Sequence, residues 1–156
     1  MRALWDDKRI TAFGMLLEAH AALLGNVGRD LQAASDIPLT WFEVLIRLAR
    51  TPGYRLRMTE LASQAALSAS NLTRVVDRME DAGLIRRDAC TSDRRGAFAV
   101  LTDTGIKTLE TALPVHLETL QRNVAGPLGS RRLDTLTSML EVLRDTARGG
   151  PPRPPE

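Results

Sequence analysis

Apolar residues recur at three- and four-residue steps from position 8 to 34, where Ile10, Phe13, Leu17, Ala21, Leu24 and Leu31 fall on one side of a helix. Gly25 and Gly28 are points where that helix loosens. Ser35-Asp36-Ile37-Pro38 breaks the pattern, and Thr40 is placed to cap a second helix carrying Phe42, Leu45, Ile46 and Leu48. Thr51-Pro52-Gly53 ends it. A short helix is expected from Met58 to Gln64, with Thr59 near its start. After Ala65-Ala66-Leu67-Ser68 comes another, from about Ala69 to Asp81, closed by Gly83 as a C-terminal cap. Beyond Gly83 the period shortens. Leu84 to Arg87 and Ala97 to Leu101 read as two strands joined by the charged stretch Asp88 to Gly96, a small hairpin.

Helical spacing returns at Thr102-Asp103-Thr104-Gly105 and continues through Ile106, Leu109, Leu113, Leu117, Leu120 and Val124, then Leu133, Leu136, Leu140 and Leu143. Pro114 is expected to kink this stretch, and Gly126-Pro127 to divide it in two. The tail, 149–156, is too rich in Gly and Pro to pack and is expected to be disordered. No repeat of fixed period appears. The predicted fold is mainly α with a small β-hairpin wing: a winged helix-turn-helix lobe over 39–102, flanked by apolar helices over 8–34 and 103–148. Those flanking stripes exceed what one short chain covers by itself, so the ends are expected to pair with a second copy in a homodimer.

Composition changes this picture in two places. Aromatics are only 4% of the chain against 44% hydrophobic residues, so the core rests on aliphatic side chains. Net charge is only +2, yet residues 45–100 hold ten Arg against six acidic residues, which concentrates positive charge mid-chain. Arg outnumbers Lys 19 to 2, a bias that suits bidentate contacts and that GC-rich coding produces equally well. No run of apolar residues approaches the roughly 18 of a membrane span, and Met1 to Lys8 mixes acids and bases, so a cytoplasmic protein is expected. The single Cys90 excludes an intrachain disulfide.

Candidate chemistry lies in residues 68–81. Leu72, Val75, Val76 and Met79 share one face; Ser70, Arg74 and Asp77 point the other way, flanked by Asn71, Thr73 and Arg78. A helix fits the major groove of DNA, where Arg pairs with guanine, Asn with adenine, and small hydroxyls with bases or phosphate. Ser68 and Ser70 sit at the helix start, where backbone amides favour a phosphate. Alone, such a face is equally a solvated surface. Its neighbours, a short helix through Leu61-Ala62, a tight turn and a basic hairpin, favour the groove.

In these residues the chain resembles the MarR family of winged-helix regulators. The matching pieces are Leu39-Thr40, Met58-Thr59-Glu60-Leu61-Ala62, Leu67 to Arg74, Val76 to Ile85, and Asp93-Arg94-Arg95 through Leu101-Thr102-Asp103-Thr104-Gly105. The resemblance implies a transcriptional regulator, a repressor, that binds double-stranded DNA as a homodimer on a pseudo-palindromic operator with half-sites about 10 bp apart. It implies a wing whose Asp-x-Arg motif is Asp93 and Arg95, with Arg94 or Arg95 reaching a minor groove and Asp93 orienting the wing through Arg78 or Arg95. Of Arg86 and Arg87, strand alternation sends one towards DNA and the other away. Arg55, Arg57, Arg86 and Arg87 are candidate phosphate contacts. A small aromatic or phenolic effector is also implied, with Trp41 and His20 as candidate pocket residues.

Phe13 and Phe42 are expected in the core, and Trp41 fits either core or pocket. Cys90 falls in the wing with no second thiol to resolve a sulfenic acid, so a bystander role is expected. His20 and His116 have no metal-site spacing, and a structural or interface role is expected. No catalytic set, metal cluster or phosphate loop appears, so neither an enzyme nor a cofactor is expected. The competing class is a winged-helix module that binds a protein rather than DNA.

Overall fold

The computed structural model of the chain describes residues 4–65, 67–89 and 96–149. The expectations for Cys90, Asp93, Arg94, Arg95 and most of the tail lie outside the described residues. The chain divides into two compact units, residues 1–116 and 117–156.

In the first unit a short 3-10 turn, Leu4–Asp6, precedes α1, Lys8–Ser35. Asp7 starts α1 by accepting the Arg9 amide at 2.8 Å, and Asp36, in the left-handed region at φ 52°, ends it. The helix runs without interruption through Gly25 and Gly28. Val27 and Leu31 are buried, whereas Ile10, Leu17 and Leu24 are exposed. Phe13, expected in the core, is 61% exposed. α1 also holds a stretch of mean hydropathy 1.3, long and apolar enough to cross a membrane by length and composition, which corrects the expectation that no such run exists.

α2, Leu39–Ala49, is not capped by Thr40, which lies inside it. Pro38 takes that place. Its fixed φ suits helix entry, and its carbonyl accepts the Trp41 and Phe42 amides at 2.9 and 3.1 Å. After α2 the chain turns through Pro52–Tyr54 with Gly53 at φ 71° and forms a strand the hydrophobic pattern alone did not predict, β1, Arg55–Arg57. Then come α3, Met58–Gln64; α4, Ala69–Asp81; β2, Ile85–Ala89; and β3, Ala97–Leu101. The sheet is antiparallel with β3 in the centre, so the hairpin gains a third strand. A three-residue strand carries too short an alternation to stand out.

The core of this unit is Phe42, Leu45 and Leu48 of α2, Leu61 of α3, Leu72, Val76 and Met79 of α4, and Ile85 and Ala99 of the sheet. α5, Asp103–Leu120, leaves the sheet, buries Leu109 and Ala112, and runs through Pro114 into the second unit.

In the second unit the backbone passes through a π-helical turn, Gln121–Ala125, into α6, Gly126–Ala147. The separation expected at Gly126-Pro127 falls instead two residues further on, at a kink inside α6. Proline is tolerated in a first helical turn, where its missing N–H is unneeded. The non-helical residue is Gly129, at φ 69° and ψ 169°. Met139, Leu140 and Leu143 of α6 are exposed.

Candidate nucleic-acid interface

α3 ends where the Leu67 amide reaches back to the Ala62 carbonyl at 3.1 Å, which makes the turn to α4 tight. Ser68 then caps α4: its Oγ accepts the Asn71 amide at 3.2 Å and lies 3.2 Å from the Ser70 Oγ. At the other end Gly83, at φ 71°, donates to the Glu80 carbonyl and Leu84 donates to the Met79 carbonyl, closing the helix as a left-handed cap does. Both ends of α4 are thus fixed by residues the sequence marks.

Leu72, Val76 and Met79 seat α4 on the core, with Val75 half-buried beside them. Ser70, Asn71, Thr73, Arg74, Asp77 and Arg78 all lie on the exposed side. Thr73 turns its hydroxyl back to the Ala69 carbonyl at 2.9 Å. Asp77 pairs with Arg87 at 2.6 Å, so this carboxylate is already engaged.

Sheet register decides between Arg86 and Arg87. Arg87 lies opposite Ala99, which in turn lies opposite buried Leu56, so all three share the inner face. From there Arg87 reaches α4, donating to Glu80 Oε2 at 3.1 Å and to the Thr73 carbonyl at 3.3 Å. Arg86 falls on the outer face, where it pairs with Asp88. Arg55 and Arg57 occupy that same outer face of β1. Their guanidinium carbons stand 3.9 and 5.3 Å from the Phe98 ring centroid, within cation–π range, which restrains two flexible side chains.

Thr102 joins the lobe to α5. Its Oγ1 accepts the Gly105 amide at 3.0 Å and lies 2.7 and 2.9 Å from the carbonyls of Gly83 and Leu84. Gly105 is required there, because a Cβ would stand 2.1 Å from the Leu84 carbonyl oxygen. The Leu101-Thr102 to Gly105 stretch is thus a close crossing of α5 over the α4–β2 turn.

A cavity of about 360 Å³ opens between the start of α2 and α4, lined by Pro38, Thr40, Trp41, Leu67, Asn71, Arg74, Val75 and Arg78. Trp41 lines this cavity; His20 is exposed on α1 and lies outside the lining. His116 packs against Phe42 with ring centroids 4.4 Å apart and the planes tilted by 40°, and its buried Nδ1 has no hydrogen-bond partner among the described residues. Burial pushes the His116 pKa below its ordinary value, against a smaller opposing pull from Glu43. Among the described residues there is no cluster of side chains suited to a metal ion.

Sequence reasoning did not find Glu80 or Phe98. The only signal for Glu80 was its position seven residues before Arg87, unreadable until the strand's inner face is known. Phe98 was legible as a strand residue only; its partners needed β1 beside β3.

A short helix, a tight turn, a capped second helix with a polar outer face and an adjoining antiparallel sheet define a winged helix-turn-helix lobe. The family model described as MarR family matches residues 37–96. Sco3205, a MarR family transcriptional regulator from Streptomyces coelicolor solved in complex with DNA, is 32% identical, with 94% of this chain and 91% of that one covered at a TM-score of 0.82. AbsC, a MarR family transcriptional regulator from the same organism, is 34% identical, with 96% and 99% covered at a TM-score of 0.83. The HTH-type transcriptional regulator PecS of Dickeya dadantii is 28% identical over 100 residues, 64% of this chain and 60% of that protein's length. This chain belongs to the MarR family of transcriptional regulators.

Proposed function

We propose that the protein is a cytoplasmic repressor that binds a pseudo-palindromic operator as a homodimer, with α4 of each copy in a major groove. The observation that carries this is the outer side of α4: Ser70, Asn71, Arg74 and Arg78 stand exposed on a helix whose other side is seated on the core and whose ends are both capped. That is a rigid mount for side chains able to read base edges. Arg55 and Arg57, held over Phe98, and Arg86 are phosphate contacts beside it, and Arg94 or Arg95 reaches a minor groove, with Asp93 orienting the wing. The exposed apolar residues of α1 and of α6 are the surfaces a second copy covers.

Release follows from the cavity. A small aromatic anion entering it meets the Trp41 ring and the guanidinium groups of Arg74 and Arg78, two cations proposed to face DNA, so ligand and operator compete for them.

Selection of bound fragments from the organism's own genome, followed by fluorescence anisotropy on the winning duplex, tests the function. Tight binding that weakens steeply between about 50 and 200 mM salt is expected. Retention of a stoichiometric protein and no duplex would replace DNA reading with the protein-interaction alternative.

A further inference from the structure

Arg87 is tied to α4 at three residues, Thr73, Asp77 and Glu80. Its backbone amide donates to Glu80 Oε1 at 2.8 Å and its Nη1 to Glu80 Oε2 at 3.1 Å. Its Nη2 lies 2.6 Å from Asp77 Oδ1 and donates to the Thr73 carbonyl at 3.3 Å. Residues 73, 77 and 80 succeed one another at helical steps of four and three, so the guanidinium lies along two turns of α4. The strand that carries it, β2, is the first strand of the wing. Both carboxylates are engaged by one cation that is only partly exposed, a setting in which charge-assisted hydrogen bonds hold geometry well.

We infer that Arg87 is a positioning residue of the DNA interface: with Asp77 and Glu80 it braces the wing strand against the recognition helix, so that the two reach their grooves as one body. This rests on the DNA-binding function proposed above, and it assigns Asp77 to the brace rather than to a base. The brace also resolves an oddity of charge. Two acids beside a polyanion's binding face weaken binding unless they perform another task.

The test uses the full-length protein, the selected operator duplex and a scrambled duplex of equal length, with binding followed by anisotropy across a salt series. Glu80→Ala is the sharpest variant, because it removes a negative charge from α4 with a residue of high helix propensity. A brace predicts that Glu80→Ala loses operator preference by roughly tenfold while affinity for the scrambled duplex holds or rises. Arg87→Ala should lose operator preference likewise, with affinity for both duplexes lowered by the two freed carboxylates and the salt slope unchanged, and Arg87→Lys should recover part of the preference. The inference is overturned if Glu80→Ala binds the operator as well as or better than the parent protein. It is equally overturned if Arg87→Ala weakens both duplexes alike and lowers the salt slope by about one, the mark of a direct phosphate contact. Backbone hydrogen exchange at residues 85–89 without DNA provides a second readout: Arg87→Ala should speed it while α1 exchange stays the same, and unchanged exchange would contradict the brace. A parent protein that binds no duplex would instead defeat the DNA-binding proposal itself.

Discussion

At the residue scale the arginines differ in what holds them. Arg74 is exposed on the outer side of α4, so Arg74→Ala should cost about 1–3 kcal/mol on the preferred operator and little on random DNA, as titration of both duplexes will show. Arg55, braced over Phe98, is offered to phosphates, so Arg55→Ala should weaken all duplexes alike and reduce the salt slope by about one. His116 gives a prediction independent of DNA. Because burial lowers its pKa from the ordinary 6.5, the unfolded chain takes up a proton below about pH 6.5 that the folded chain resists. Stability should therefore fall as pH drops through that value. Replacement by Phe should flatten this part of the profile, measured as the unfolding midpoint at about pH 7.5 and 5.5; an unchanged pH dependence would remove His116 from the core's pH response.

At the scale of elements, what the sequence makes legible depends on how local its physics is. The limits of α4 are readable because Ser68 and Gly83 act within one turn of the helix they close. The start of α2 misleads for the same reason: Thr40 looks like a cap, but Pro38 already fixes the backbone two residues earlier. β1 stays hidden because three residues become a strand only when Ala99 and its neighbours lie beside them. Arg87 shows the limit most clearly. Strand alternation says that one of Arg86 and Arg87 turns inward, and only the register against β3 says which. The Thr102–Gly105 crossing joins the lobe to α5, so Gly105→Ala should destabilise the fold by about 1–3 kcal/mol or more through its contact with the Leu84 carbonyl, read by chemical denaturation. A neutral effect would mean that α5 shifts freely against the lobe.

At the scale of the whole molecule, the apolar sides of α1 and α6 are the feature a single chain leaves unexplained. Phe13, Leu17 and Leu24 recur along α1 with helical spacing, yet all are exposed. Covered by a second copy, they become a dimer core, and Phe13→Glu should yield monomers at micromolar concentration in analytical ultracentrifugation, with operator affinity falling in step. A variant that stays dimeric would move the interface elsewhere. The proposed dimer would also account for the hydropathy of α1, whose apolar side it would cover. Whether the outer side of α4 reads bases is decided by measuring every single-base substitution of the selected operator with the parent protein and with Arg74→Ala. The account predicts that the variant loses its penalty at one symmetry-related pair of positions and keeps the others. A uniform loss across all positions, or none, would contradict it.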